Sequence, residues 1–249
     1  YLCPGSGVML GWPRQLKVVD VVDQEQLELA EAAIATGKTV IYVLVQGRPR
    51  VINSIEAGAK GILQAYRPSS RGADAIVSVL SGDFNPSGKL PFTYHRNTGD
   101  IVLYDHKFAE TFTELAPGEI GGSGFNPQWQ FGHGLSYTTF EYGKMNVDKT
   151  NFSGDEKVTV TVSVTNTGDR DGHHAVELFS RDDYASVSPC VKRLRAFDKK
   201  LIKAGATESF SFTINSDDLS FINFKSERIT EKGTFSLFID DQSASIRYE

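Results

Sequence analysis

The chain has 249 residues, 40% of them hydrophobic and 23% charged, with a formal net charge of −5. That length allows one to two domains, each with a proper core, and the composition is ordinary for a globular protein. The acidic balance argues against a nucleic-acid or anionic-membrane partner, and no window holds the roughly 18 consecutive apolar residues of a membrane span.

Tyr1-Leu2-Cys3 reads as a strand entered in mid-course, with no Met or signal peptide before it; this implies a fragment or a processed chain. Cys3 and Cys190 make no metal or redox spacing and read as buried free thiols. Residues 4–19 are rich in Gly and Pro without a period, which predicts a loop. Asp23 and Gln26 form a capping-box pattern. Leu27, Ala30 and Ile34 follow at helical spacing, with Gly37 as the stop. Residues 39–45 are a continuous β-branched and apolar run, suited to a parallel strand covered on both faces. Residues 49–56 predict a short helix, 61–66 a second buried strand, 68–72 a turn and 73–80 another helix. Such alternation implies an α/β sandwich, a mostly parallel sheet with flanking helices. Ligands of such sheets bind at the carboxyl ends of the strands, here residues 4–13, 46–49 and 67–72.

Asn85-Pro86-Ser87-Gly88 is dense turn chemistry, after which Leu90, preceding Pro91, is pushed into extended geometry. Residues 95–134 form a long connection, of the kind that is functional or wraps a domain boundary. From Met145 the character changes. Residues 157–165 alternate strictly, with the valines on one face, and 175–180, 191–197, 209–214 and 234–239 read as further strands. About seven short strands in roughly 105 residues predict an immunoglobulin- or fibronectin-III-like sandwich. The expected organisation is 1–94 for the α/β sandwich, 95–140 for the connection and 141–249 for the β-sandwich.

Several stretches together resemble family 3 glycoside hydrolases: GDFNPSGKLPFTY (82–94), FGHGLSYTTFEY (131–142), VTVSVTNTGDRDG (160–172) and VKRLRAFDKKLIKAG (191–205), with GRPRVI (47–52) and ILQAYRP (62–68) placed by similarity. The resemblance implies a three-part enzyme: a (β/α)8-like barrel with an Asp nucleophile, an α/β sandwich that in many members supplies a Glu acid/base, and a fibronectin-III-like domain. This chain corresponds to the second and third parts. It is thus expected to be the C-terminal part of a retaining β-glycosidase, hydrolysing terminal non-reducing β-D-glucosyl or β-D-xylosyl residues when joined to the barrel. Alone it would be inactive, and no cofactor is implied. The alternative is a non-catalytic carbohydrate-binding or packing module.

Retaining hydrolysis needs two carboxyls about 5–5.5 Å apart. By resemblance the proton donor belongs in the loop at 3–13, where a gapless reading puts Ser6 at a strand-end Glu and Gly11 at the donor. Neither can give a proton. No Glu precedes Glu25 and no Asp precedes Asp20, so the acid is lost from this loop, misread in the sequence, or supplied from elsewhere. No catalytic residue is assigned within the chain. Trp12, on the same loop, either stacks on a pyranose face as a substrate-binding residue or covers the edge of the core. Trp129 reads as structural.

His95 and His106 suit a surface or interface role, and the glycines around His133 imply special backbone angles. His173 and His174, with Asp169 and Asp171, read as a solvated hairpin turn lacking the later ligands of a calcium loop, so no metal is assigned. Arg67, Ser69, Ser70 and Arg71 follow a buried strand and face the pocket side. The resemblance expects Pro-Gly, acidic residues and Gly-Gly there, and Ser69, Ser70, Arg71 and Ala73 depart from it. Ser136 lacks a nucleophile elbow, and 43–49 lacks a nucleotide-binding glycine pattern. The partners implied are a β-linked oligosaccharide or glycoside, through the whole enzyme, and the N-terminal barrel. An exposed apolar barrel-facing surface predicts self-association, as a homodimer, or dependence on that partner. The acidic, cysteine-poor composition fits a periplasmic or secreted protein.

Overall fold

A computed structural model describes residues 20–21, 23–100, 103–107 and 125–249. The expected strand at Tyr1, the thiol of Cys3 and the loop at 3–13 lie outside these residues. Two units emerge. The first gathers the chain up to Asp83 with Leu90–Leu103 and Phe125–Phe131, and the second gathers Phe84–Lys89 with the chain from Gly132 to Glu249 and Tyr104–Gly124.

In the first unit β1 (Asp20–Val21), α1 (Gln24–Ala35), β2 (Ile41–Leu44), β3 (Arg50–Val51), α2 (Asn53–Glu56), β4 (Gly61–Gln64) and α3 (Gly72–Ser81) follow one another. Strand β1 pairs with β3, and β2 with β4, both in parallel. These are separate two-stranded sheets among the described residues, not the continuous parallel sheet expected from the alternation. Among the described residues most pairings are antiparallel. Nor is the 39–45 run covered on both faces: Ile41 is 48% and Val45 60% exposed. The capping box does not form. The Asp23 side chain makes no cap hydrogen bond, because its carboxylate is engaged by Arg50 at 3.2 Å. Helix α1 does end as expected, with Gly37 at φ +71°, a conformation that costs glycine little. The predicted helix at 49–56 is shorter because Arg50 and Val51 are drawn into the ladder with β1. Ala30, Ile52, Ile55 and Tyr94 form the core of this unit, flanked by Leu27, Ile34, Tyr42, Leu44, Phe92 and Trp129.

The second unit is a β-sandwich. Its strands are β5 (Phe140–Tyr142), β6 (Asn146–Val147), β7 (Asn151–Phe152), β8 (Val158–Asn166), β9 (Gly172–Asp182), β10 (Arg193–Ile202), β11 (Thr207–Ile214), β12 (Phe221–Ile222), β13 (Arg228–Ile229), β14 (Gly233–Ile239) and β15 (Gln242–Tyr248). One sheet runs β10-β9-β14-β15-β7; the other runs β11-β8-β5, with β6 also on β8. The strict alternation of β8 is realised: Val158, Val160, Val162 and Val164 are buried and the threonines between them are not. Each such valine contributes about 1.5–3 kcal/mol on burial. Across from them, on the other sheet, are Val176, Leu178, Phe235, Leu237 and Ile246, while Phe210 packs beside them from the neighbouring strand β11.

Asn166 ends β8 inside this core, wholly buried. Its Oδ1 accepts from Thr138 Oγ1 at 2.6 Å and from the Gly168 amide at 3.2 Å. Its Nδ2 donates to the carbonyls of Arg170 and Ile202 at 2.7 and 2.9 Å. All four hydrogen bonds of the amide are made, as burial requires.

Candidate functional site

The carboxyl ends of β2 and β4 lie side by side, since the two strands pair in register from Ile41↔Gly61 to Leu44↔Gln64. Just beyond them Gln46 Nε2 donates to Gln64 Oε1 at 3.0 Å and to the Tyr94 hydroxyl at 3.1 Å. That hydroxyl donates in turn to the Arg50 carbonyl at 2.8 Å. Tyr94 is 1% exposed, so the network is shielded from water and its geometry is held by packing. Burial pushes the Tyr94 phenol above its usual range, opposed by the bonds to Gln46 and Arg50. The loop after β2 is thereby tied to the strand end beside it. Gly47 lies against Arg67: an added Cβ would stand 2.6 Å from Arg67 Nε. Arg71 pairs with Asp74 at 3.5 Å, both well exposed, an ion pair worth little. Of the three predicted strand ends, two are therefore adjacent and fixed. Ser6, Gly11 and Trp12, on the third, lie outside the described residues.

The turn that breaks the chain after α3 belongs to the second unit. Asn85 Oδ1 accepts from Ser136 Oγ at 2.9 Å and from the Tyr137 amide at 2.7 Å, while its Nδ2 donates to the Asp171 carbonyl at 3.1 Å. Lys89 Nζ donates to the Gly134 carbonyl at 3.1 Å. An added Cβ on Gly134 would sit 2.1 Å from the Gly88 carbonyl oxygen. Three of the sequence motifs, at 82–94, 131–142 and 160–172, thus meet in space. The Ser136 hydroxyl is spent on Asn85 and the Thr138 amide, which leaves it a structural group.

Around this clamp lies a group of titratable side chains. Burial lowers the Lys89 ammonium, with Glu177 and Asp240 opposing, and burial raises the Glu177 carboxyl, with Lys89 and Lys192 opposing. His173 and His174 lie in strand β9, not in the solvated turn the sequence predicts, and of the two it is His174 that is partly buried. Its Nε2 shares a 2.7 Å hydrogen bond with the Tyr142 hydroxyl, and its ring lies 4.2 Å from that of Phe140. Desolvation, with Lys89 second, lowers it to about 4, so it is neutral at ordinary pH.

The other residues weighed in the sequence are accounted for locally. Trp129 packs edge-on against Tyr94 at 4.9 Å and bridges its backbone. His95 is pulled below its usual range by burial, against Asp100. His106 is 9% exposed, and its carbonyl accepts from the Val191 amide at 2.8 Å. Cys190 is a partly buried free thiol with Lys107 Nζ 3.2 Å from its sulfur. Among the described residues no group of three His, Cys, Asp or Glu side chains could hold a metal ion, and no helix is long and apolar enough to cross a membrane. Sequence reasoning missed Tyr94, Gln46 and Asn166 as organising groups. A signal exists only for Asn166, an amide closing an alternating valine strand.

Residues 17–137 match the glycosyl hydrolase family 3 C-terminal domain, and residues 174–243 match the fibronectin type III-like domain. A β-xylosidase of Formosa agariphila is 39% identical over 88% of the chain, which spans 30% of that protein. A periplasmic β-glucosidase of Salmonella typhimurium is 36% identical over 91% of the chain, again 30% of its own length. Among solved structures, a β-glucosidase from Erythrobacter marinus superposes over 98% of the chain with TM-score 0.87 at 33% identity, covering 32% of that chain. A Listeria innocua β-glucosidase in complex with gluconolactone gives 0.84 at 27% identity over 94% of the chain and 34% of its own. The chain spans about a third of the length of the proteins it matches.

Proposed function

The chain belongs to family 3 of the glycoside hydrolases, and on that premise we propose that it serves as the C-terminal part of a retaining β-glycosidase. The whole protein hydrolyses terminal non-reducing β-D-glucosyl or β-D-xylosyl residues, with the nucleophile in an N-terminal barrel. The observation that carries this is the superposition of 98% of the chain on one β-glucosidase. On this reading the carboxyl ends of β2 and β4 face the barrel and the glycoside, and the paired strands belong to an α/β sandwich with a mostly parallel sheet. The domain division is 1–94, 95–140 and 141–249. The isolated chain is inactive and either self-associates or depends on the barrel for solubility, and the protein acts in the periplasm or outside the cell.

Release of nitrophenol from aryl β-glucosides and β-xylosides by the whole polypeptide tests the activity. No release from either would overturn it. A second reading, a non-catalytic module, is favoured by Gly11 and Ser6, since neither can donate a proton. It predicts that the whole polypeptide binds oligosaccharide, seen as heat in calorimetry, without turning it over.

A further inference from the structure

The carboxyl ends of β2 and β4 carry more positive charge than a neutral sugar needs. The segments that follow β2 and β4, residues 46–51 and 65–72, hold Arg48, Arg50, Arg67 and Arg71 and no carboxylate, in a chain whose net charge is −5. Glu56 is engaged by Gln128. Asp23 is taken by Arg50 and Asp74 by Arg71. Arg48, half-buried, and Arg67, exposed, have no hydrogen bond or ion pair among the described residues. Arg67 lies against the backbone of Gly47, the residue before Arg48, and the in-register pairing of β2 with β4 brings both loops to the same edge. The loop bearing Arg48 is held by the bonds among Gln46, Gln64 and Tyr94. Pro68, Ser69 and Ser70, which follow Arg67, carry no charge.

A guanidinium offers planar paired donors that fit a carboxylate or sulfate group better than a hydroxyl. Two such groups without counter-charge, on fixed neighbouring loops, raise the local concentration of an anion. We infer that Arg48 and Arg67 form an anion-recognition site, and that the glycoside taken by the whole enzyme carries a carboxylate or a sulfate ester. The inference rests on the proposed reading that this edge faces substrate.

The test compares kcat/KM of the whole polypeptide on nitrophenyl β-D-glucuronide, the 6-sulfated β-glucoside and the plain β-glucoside. An acidic substrate is expected to be preferred, and the arm that shows the preference distinguishes carboxylate from sulfate. Arg67→Ala should lower the acid-to-neutral ratio about tenfold, the loss of one charge-assisted contact, chiefly through KM. Arg67→Lys should restore part of it, and added salt should weaken it. Lys38→Ala removes an equal charge before β2, at the opposite end, and should not move the ratio. A plain glucoside preferred, with the ratio unmoved in Arg48→Ala and Arg67→Ala, overturns the inference while leaving the glycosidase reading intact. Should no aryl glycoside be hydrolysed, the glycosidase reading fails separately. Calorimetric titration with glucuronate and with inorganic sulfate then decides: heat abolished by Arg67→Ala supports the anion site, and no heat refutes it.

Discussion

Replacing Asn166 by Ala removes both ends of a fully bonded amide at a site with no exposure. Two of its partners cannot turn to water, the Thr138 hydroxyl (8% exposed) and the carbonyl of the wholly buried Ile202. The other two, the Gly168 amide and Arg170 carbonyl, lie towards the exposed turn. Two buried groups left without partners cost about 1–3 kcal/mol each, and the two solvent-reachable ones about 0.5 kcal/mol each, for a sum of about 3–7 kcal/mol. Urea unfolding followed by circular dichroism measures this as a midpoint drop of about 1.5–3.5 M at an unchanged slope of about 2 kcal/mol per M. Asn166→Asp keeps the accepting oxygen but turns a carboxylate towards two carbonyls, and should lose at least as much. A loss below about 1 kcal/mol in both variants would refute the accounting, since it would mean the freed groups find partners that burial denies them.

Stability near His174 depends on pH in a definite direction. Its folded value of about 4 lies below the ordinary 6.5, so between those values the unfolded chain takes a proton that the folded chain refuses. Stability is therefore complete above about 6.5 and falls as the pH drops towards 4, with a slope of at most about 1.4 kcal/mol per pH unit. His174→Gln should abolish that slope in chemical denaturation across the window. Asp182 acts oppositely: burial holds its carboxyl up to about 6, and one oxygen has no hydrogen-bond partner, so its contribution falls as the pH rises from 3.8 to 6. The measurement is cleanest in Asp182→Asn. Gly134→Ala forces the clamp apart, because the new Cβ meets the Gly88 carbonyl; a loss of about 1–3 kcal/mol in thermal unfolding is expected. Gly88→Ala, whose Cβ would meet nothing within 4 Å, should be nearly neutral.

What could be read in advance was local. The valines of β8 announce their strand because a period of two needs no knowledge of the partner. Gly37 announces a helix end because its backbone angle is a property of the residue itself. The capping box at Asp23 failed for a non-local reason: Arg50, 27 positions on, takes the carboxylate. The apolar run at 39–45 suits a doubly covered strand by composition alone, which says nothing of how many layers are present. His174 looked like a turn residue beside two aspartates, and only the β9–β10 register places it in a strand. Tyr94 could not be singled out, since its weight lies in bonds to residues 44 and 48 positions away. The family motifs were legible, but not that three of them touch.

The segment Phe84–Lys89 belongs with the sandwich, the chain then returns to the first unit at Leu90, and it leaves again after Phe131. No single breakpoint in a gene can therefore divide the two units. A recombination joint at 83/84 would strip the first unit of Leu90–Leu103 and Phe125–Phe131, including Tyr94 from its core. One near 140 would take from the sandwich Asn85 and Lys89, with the hydrogen bonds they make to its own turns. The sandwich of this chain is therefore not bounded by one continuous stretch of sequence.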